Sequence, residues 1–296
     1  MNRFVRWQQQ LSYAFDRLLP DEFSVSGGGD FTRNVVPAYL ADDLMIYDVG
    51  GGKNPVIGPE LRNSHNLRIV GLDLDAAELA QAPAGCYDRT VHTDITRYRG
   101  QGDADVVVCR TVLEHVVDVH GAIGALASIM RPDGRILLFV PSRNALFARL
   151  NLLLPESVKR RILFSMFPEK QDLQGFRAHY HRCTPRDLRV IAAAHGLEVE
   201  LLKLYYRSSY FSFFAPLYVV WRIYQVLFRL VAGEQAAETF AMVLRRAQVP
   251  RDGVKRVSTR AAGYGVTTGP EVGVKWNTKR GCRASHLRTL GCLWLP

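Results

Sequence analysis

A short apolar run that ends in an acidic, glycine-rich turn constrains this chain most. Residues 44–47 are all apolar, and residues 48–52, which read D-V-G-G-G, follow directly. Such a run is typical of a buried strand, and glycines let the backbone turn sharply where a ligand would collide with a Cβ atom. A carboxylate at the strand end can accept hydrogen bonds from ligand amines or hydroxyls. The pattern therefore predicts a strand that leads into a nucleotide-binding turn.

A second strand-like run strengthens this prediction. Residues 68–73 read R-I-V-G-L-D, and Asp73 follows Gly52 at about the 20-residue spacing expected for a carboxylate that binds ribose hydroxyls. Strand-like and helix-like segments continue to alternate along the chain, which favours an α/β fold with a parallel sheet. Further strands are predicted near residues 88–92, 104–109, 134–140, 197–204 and 239–244.

Two kinds of nucleoside cofactor are compatible with this pair of strands. A dinucleotide fingerprint, G-x-G-x-x-G, would place its third glycine at position 55, and that residue is Pro55. The third glycine normally permits close packing of helix on strand, so Pro55 disfavours a dinucleotide and leaves an NAD(P)-dependent oxidoreductase as the alternative. A ligand with ribose and adenine but without phosphate depends more on the acidic side chains than on the end of a helix.

Four segments in this order resemble the class I S-adenosylmethionine-dependent methyltransferases, in particular their small-molecule branch called type 11. The similarity covers roughly residues 40–200 and departs from the family pattern at Asn54 and Asp133, where a glycine is common. The matching segments are the glycine turn at 48–52, the second strand at 69–73 with the turn at 93–95, the fourth strand with L-E-H-V at 104–116, and the M-R-P-D-G turn at 130–138.

The resemblance implies a Rossmann-like, seven-stranded, mostly parallel sheet with helices on both faces and an antiparallel last strand. It implies S-adenosyl-L-methionine as cofactor and methyl transfer to a small-molecule or lipid-like acceptor. Asp48 would orient the amino-acid end of the cofactor, Asp73 would accept from the ribose hydroxyls, and Asp94 from the adenine amine. The expected cofactor-binding residues are Asp48, Gly50, Gly52, Asp73, Asp94 and Ile95.

No catalytic residue is assigned from the sequence. Methyl transfer depends mainly on holding the acceptor close to the methyl carbon, so no nucleophile on the protein is needed. His115 could accept a proton near neutral pH, but the resemblance gives it and Glu114 a structural place. A non-catalytic scaffold that binds the cofactor or a lipid therefore stays open. The chain does not reveal which atom is methylated.

Charge and cysteine usage limit the partners and the compartment. The chain carries a net charge of +10, but residues 251–296 hold nine Lys or Arg against two Asp or Glu. The rest of the chain is therefore nearly balanced, and no nucleic-acid partner is expected. The five cysteines form no C-x-x-C pair, and no signal peptide is apparent, so we expect reduced thiols in the cytoplasm. The oligomeric state stays open.

We expect three regions along the chain. Residues 1–40 form an N-terminal cap region and residues 41–246 a methyltransferase domain, followed by a disordered tail at 247–296. Within the domain, residues 142–183 are an acceptor-side insertion. The helix at 3–19, with Phe4, Trp7 and Leu11 on one face, is expected over the cofactor cleft rather than on a membrane surface.

An aromatic-rich helix is predicted at 205–232. Residues 205–228 contain ten of the chain's 30 aromatic residues, and residues 211–221 carry no charge. That uncharged stretch is too short to span a bilayer. Because Arg222 and Arg229 share one face, the helix could lie in a membrane interface, line an apolar acceptor pocket or pack against the sheet. The first alternative places the protein peripherally on the cytoplasmic membrane.

Metal-capable side chains occur together at His179, His181 and Cys183. Close neighbours on an extended segment are poorly arranged around one tetrahedral ion, and no fourth ligand is apparent. We therefore expect no metal site and interpret this segment as a loop that borders the acceptor and leads into a helix capped by Thr184.

Overall fold

A single seven-stranded sheet organises the computed structural model, which describes residues 3–153, 155, 177–207 and 211–248. The strand order is β3-β2-β1-β4-β5-β7-β6, and only β7 runs antiparallel to its neighbours. The predicted fold class is confirmed. The strands are β1 (Met45–Val49), β2 (Arg68–Asp73), β3 (Arg89–His92), β4 (Ala104–Arg110), β5 (Met130–Pro141), β6 (Leu197–Tyr205) and β7 (Thr239–Arg246).

The central strands are apolar on both faces because helices cover both sides of the sheet. In β4, the side chains from Ala104 to Cys109 are all buried, which is the pattern of a parallel strand between two helical layers. One core contains Val107 and Leu126, and the other contains Val108 and Phe31. These two cores fix the sheet between the helices and leave its strand ends free for a site.

Eight α-helices lie in the described part of the chain. Thr184 caps the seventh with a hydrogen bond from Asp187 N to its hydroxyl, and Gly196 follows the helix at a φ of +68°, as predicted. The helices are α1 (Arg3–Asp16), α2 (Gly27–Asp30), α3 (Pro59–Ser64), α4 (Ala76–Ala80), α5 (Val119–Ile129), α6 (Leu146–Leu153), α7 (Pro185–Ala194) and α8 (Ala215–Ala232).

The aromatic-rich helix begins later than predicted. Tyr205 is the last residue of β6, where it pairs with Thr239, and its hydroxyl donates to Asp30 Oδ2 at 2.6 Å. Helix α8 starts only at Ala215, so the expected start at residue 205 is wrong. Backbone pairing with β7 keeps this stretch extended. Residues 208–210, most of the 142–183 insertion and the expected tail from residue 249 onward lie outside the described residues.

Helix α1 packs with its polar side inward. Its buried side chains are Gln8, Ser12 and Asp16, whereas Phe4 and Trp7 are exposed. The expected packing of this helix through its apolar face is therefore wrong, because that face is exposed. Spacings of four residues place the three polar side chains on one face of the helix, and that face contacts α8 and the turn before it.

Polar contacts join α1 to α8. Gln8 Oε1 accepts from Ala215 N at 2.8 Å, and Ser12 Oγ donates to Ser212 O at 3.0 Å. At the end of α1, Asp16 accepts from the Tyr218 hydroxyl at 2.8 Å. Each buried polar group thereby has a partner, which removes most of the cost of its transfer from water. We call this contact the polar seam.

Arg222 completes the polar seam. Its side chain is 0% exposed, and its Nε lies 2.9 Å from Asp16 Oδ1. The guanidinium also donates to the carbonyl oxygens of Tyr206 and Phe23 at 2.6 Å. Arg222 is therefore not available to lipid headgroups, as the membrane-interface alternative would require, and Trp221 is likewise buried. A carboxylate 206 positions earlier in the chain supplies the partner that local sequence does not show.

Replacement of Asp16 by Ala is expected to destabilise the fold by about 3–5 kcal/mol, since it leaves the buried Arg222 charge without its counter-ion. Urea unfolding of the full chain measures this. The matched control is Glu234→Ala, which removes an exposed ion pair with Arg189 of 2.7 Å and should cost at most about 1 kcal/mol. Equal losses in the two variants would contradict a structural role for the polar seam.

Candidate cofactor site

Three predicted acidic residues lie at one edge of the sheet. Asp48 is the second-last residue of β1, Asp73 ends β2, and Asp94 follows β3 closely. Parallel strands present their carboxyl ends at the same edge, where α/β proteins bind ligands. A hydrogen bond of 2.9 Å from Thr93 N to Asp73 O fixes the turn with Asp94 beside the end of β2. The sheet thus brings all three acids to a common edge.

The glycine turn after β1 needs its glycines for two physical reasons. Gly50 and Gly52 have φ values of +73° and +46°, a region that side chains rarely tolerate. A Cβ atom on Gly50 would also lie 2.1 Å from Val112 Cγ2. The backbone of the turn therefore lies directly against the segment after β4, and a hydrogen bond from Gly50 N to Leu72 O at 2.6 Å ties it to β2.

Asp48 lies beneath the turn, almost completely buried. Its Oδ2 accepts from Val56 N at 2.9 Å and from the Tyr87 hydroxyl at 3.4 Å. Burial raises the pKa of Asp48 to about 6, against the hydrogen bonds and the nearby Arg110, which lower the pKa. Its Oδ1 is buried and has no hydrogen-bond partner within the described residues. One carboxylate oxygen thus holds the turn, and the other remains available to a ligand donor.

Asp73 and Asp94 are partly exposed, and hydrogen bonds from nearby residues orient their carboxylates. Asp73 Oδ1 accepts from Asp75 N at 2.9 Å, and burial raises the pKa of the Asp73 carboxyl. Asp94 Oδ1 accepts from both the backbone and the hydroxyl of Thr96 at 2.8 Å. Ile95, beside it, is buried in the core. Each acid is held through one oxygen by its own turn, which restricts its rotation and prepares it to accept from a ligand.

Two side chains near this edge were not predicted from the sequence. The Tyr87 hydroxyl donates to Gly52 O at 3.2 Å, so it supports the glycine turn from below. Arg110 ends β4, where its guanidinium lies 3.4 Å from the Thr32 hydroxyl. Arg110 could have been predicted from the sequence, because it is a charged residue directly after the buried run of β4. Nothing local in the sequence links Tyr87 to a turn 35 residues earlier.

The L-E-H-V segment after β4 joins the sheet edge to the 177–183 loop. Thr111 has a φ of +55°, an unusual conformation for a β-branched residue. The chain turns at this residue, directly after the end of β4 and before Val112. The backbone oxygen of Glu114 then accepts from His179 N at 2.7 Å and from Tyr180 N at 2.9 Å. Burial raises the pKa of the Glu114 carboxyl to about 8, which favours its neutral form at neutral pH.

The metal-capable side chains of His179, His181 and Cys183 make contacts within the protein. His181 Nδ1 lies 3.4 Å from Val117 O, and the ring centroids of His179 and His181 are 5.6 Å apart. Cys183 is buried, and this burial raises the pKa of its thiol. His115 Nδ1 lies 3.2 Å from Arg177 O. These contacts place the loop against the L-E-H-V segment, and its role as a border of the acceptor site stays a prediction.

Comparison with known families decides which of the two cofactor classes the chain belongs to. A family model described as a methyltransferase domain matches residues 7–202. The chain belongs to this methyltransferase family. The class I S-adenosylmethionine-dependent assignment and the cofactor predicted from the sequence are thereby confirmed. The match excludes the nicotinamide-dependent oxidoreductase as the family of this chain.

The chain is also similar to curated relatives and to a solved structure. The ubiquinone biosynthesis O-methyltransferase of Aeromonas salmonicida is 26% identical over 161 residues, which are 52% of this chain and 63% of that protein. The enzyme of the same name from Cronobacter sakazakii is 31% identical over 34% of this chain and 43% of that protein. The chain thus spans less than two thirds of the length of either relative. The magnesium protoporphyrin IX methyltransferase of Synechocystis PCC 6803 has a TM-score of 0.45 and 15% identity over 83% of this chain and 89% of that chain.

The residues at this edge fit S-adenosylmethionine chemically. The cofactor offers an amino group, two ribose hydroxyls, an adenine amine and a positively charged sulfonium, so it needs acceptors and negative charge. The edge supplies the unpaired oxygen of Asp48 together with the partly exposed carboxylates of Asp73 and Asp94. Lys53, next to the glycine turn, is paired with Glu78 at 2.7 Å. The donor and acceptor set therefore suits a nucleoside ligand without phosphate.

Replacement of Gly50 by Ala is expected to destabilise the protein by about 1–3 kcal/mol and to abolish tight binding of S-adenosylhomocysteine, because the new Cβ meets Val112 in a disfavoured backbone conformation. Thermal unfolding and calorimetric titration measure the two effects. The matched control is Gly58→Ala, where φ is −75° and nothing lies within 4 Å of the new Cβ. Wild-type behaviour of Gly50→Ala would refute the proposed close approach at this turn.

Proposed function

We propose that this methyltransferase transfers the methyl group of S-adenosylmethionine to a small-molecule acceptor. One observation carries the proposal: the acids of β1, β2 and the turn after β3 converge at one edge around a glycine turn with positive φ values. The family match supports the reaction type.

The proposed roles divide the cofactor among three carboxylates. Asp73 accepts from the ribose hydroxyls, Asp94 and Ile95 contact the adenine, and the unpaired oxygen of Asp48 accepts from the amino-acid end. Gly50 and Gly52 allow the backbone to approach the ligand. Bound in this way, the cofactor supplies an electrophilic methyl group. The protein then positions the acceptor, because in-line transfer requires the acceptor atom at about 3–3.5 Å from the methyl carbon.

We further propose a lipid-like acceptor that is methylated on oxygen. The curated relatives are named ubiquinone biosynthesis O-methyltransferases, and this name indicates an oxygen acceptor. The aromatic-rich region at 205–232 supports an apolar acceptor, since α8 exposes several apolar side chains. The corresponding location is the cytoplasm, peripherally on the cytoplasmic membrane. No described helix is long and apolar enough to cross a bilayer.

Replacement of Asp73 by Ala is expected to weaken S-adenosylhomocysteine binding by about 1.5–3 kcal/mol, the range for a hydrogen bond to a charged group. Calorimetric titration of the full chain measures the change. Asp133→Ala is the control, because Asp133 is exposed and precedes the buried part of β5, far in sequence from the predicted site residues. An unchanged affinity in Asp73→Ala would mean that Asp73 does not hold the ribose.

The reaction itself is tested by incubating the full chain with cell extract and a methyl-labelled donor. A labelled lipid, quinone or other small metabolite would support the transferase. Tight donor binding with no labelled product in any fraction would favour the scaffold alternative, which predicts the same cofactor contacts without transfer.

A further inference from the structure

We propose that Arg110, oriented by Thr32, binds the carboxylate in the amino-acid part of the methyl donor. The carboxylate would lie beside the oxygen of Asp48 that is proposed to accept from the donor's amine. This deepens the proposed function and rests on it for the place of the donor at the carboxyl edge of the sheet. A ligand that lacks only this carboxylate separates the two claims.

Arg110 and Asp48 lie on the same face of the sheet. Asp48 of β1 is in register with Val108 of β4, and side chains alternate along a strand, so Arg110 shares the face of Val108. Arg110 is also the last residue of β4, one position beyond the paired end of β1. Val112, two residues later, contacts the glycine turn at Gly50. Arg110 is therefore next to the turn where the donor is proposed to bind.

Arg110 lacks the carboxylate partner that other partly buried arginines have. Arg62 and Arg135, for example, are each ion-paired with an acid. Arg110 is also partly buried, but no Asp or Glu in the described part of the chain forms an ion pair with it. Its positive charge lowers the pKa of Asp48 without such a pair. A planar guanidinium binds carboxylates well, through two parallel hydrogen bonds, so a ligand carboxylate suits this position.

Thr32 orients Arg110 from the segment that follows α2. The Thr32 hydroxyl donates to Gly28 O at 3.0 Å, and its oxygen accepts from Arg110 Nη1 at 3.4 Å. The preceding residue, Phe31, is fully buried and packs on Phe139 with ring centroids 5.4 Å apart. This packing holds the segment on the face of the sheet that carries Arg110. Thr32 therefore restricts the rotation of the guanidinium and acts as a positioning residue.

The two opposite charges suit an α-amino-acid group. Such a group carries an amine and a carboxylate on one carbon atom, so it needs an acceptor and a cation close together. The buried Oδ1 of Asp48, which has no partner within the described residues, supplies the acceptor, and Arg110 supplies the cation. Without Arg110, the carboxylate of Asp48 would repel the carboxylate of the donor. Arg110 thereby selects donors that keep their amino-acid part.

Calorimetric titration of the full chain with S-adenosylhomocysteine and with its decarboxylated analogue tests the site. The analogue keeps the amine, the ribose and the adenine and lacks only the carboxylate. We expect the wild type to prefer S-adenosylhomocysteine at least about tenfold, because the analogue loses a hydrogen bond to a charged group. Arg110→Gln should bind S-adenosylhomocysteine at least about tenfold more weakly and the analogue no more weakly than the wild type does. Thr32→Val should reduce the preference in part, and Thr32→Ser should keep it.

The matched control is Arg89→Gln. Arg89 Nη2 likewise lies 3.4 Å from a hydroxyl, that of Tyr47, but Arg89 begins β3 at the opposite edge of the sheet. Both affinities should therefore stay at their wild-type values in this variant.

Three results would overturn the inference. The first is a wild type that binds the two ligands equally, which is measured without any substitution and so decides even if Arg110→Gln does not fold. The second is an equal weakening of both ligands in a folded Arg110→Gln chain. The third is an unchanged affinity of Arg110→Gln for S-adenosylhomocysteine, which is the result expected if Arg110 binds a carboxylate of the acceptor instead.

Incubation of the full chain with cell extract and the methyl-labelled donor keeps this inference apart from the proposed function. A wild type that shows the expected preference but labels no product would refute the transferase and leave the carboxylate site standing. A labelled product from a wild type without the preference would overturn only the carboxylate site.

Discussion

The buried carboxylate of Asp48 is the constraint on which the cofactor site depends. It ties the end of the glycine turn to β1 through Val56 N and receives the hydroxyl of Tyr87, which itself supports Gly52. The turn can then keep its positive φ values against Val112 without flexible side chains in between. Because the turn is fixed in this way, it lies beside the end of β2, to which Gly50 N is hydrogen-bonded, and the end of β3 lies at the same edge of the sheet.

A second constraint, the polar seam, determines what the helices outside the sheet can do. Breaking an ion pair as deeply buried as Asp16 with Arg222 is costly, so α1 cannot simply rotate to bury its apolar face. The resulting exposure of Trp7 and Val220 is a consequence of this packing and not of local disorder. The polar contacts are thus buried in the described structure, while apolar side chains of both helices stay exposed.

The local sequence pattern was sufficient to predict the sheet but not the contacts between residues far apart in the chain. The strands, the Thr184 cap and the edge with Asp48 and Asp73 were predictable, because periodicity, capping and strand-end acids are encoded by near neighbours. The inward face of α1 was mispredicted, since only the distant Arg222 explains why Asp16 is buried. Tyr205 was assigned to a helix for the same reason: its pairing with Thr239 in β7 overrides its aromatic neighbourhood. The roles of Asp73, Asp94 and Ile95 toward the cofactor stay predictions.

Calorimetric titration of the full chain with S-adenosylhomocysteine and, separately, with NADH tests the central claim most directly. If the carboxyl edge of the sheet holds an adenosine ligand without phosphate, S-adenosylhomocysteine binds saturably at one site per chain and NADH shows no saturable heat. Binding of NADH alone would contradict the account, because Pro55 and the acids at this edge would then have to accommodate a pyrophosphate.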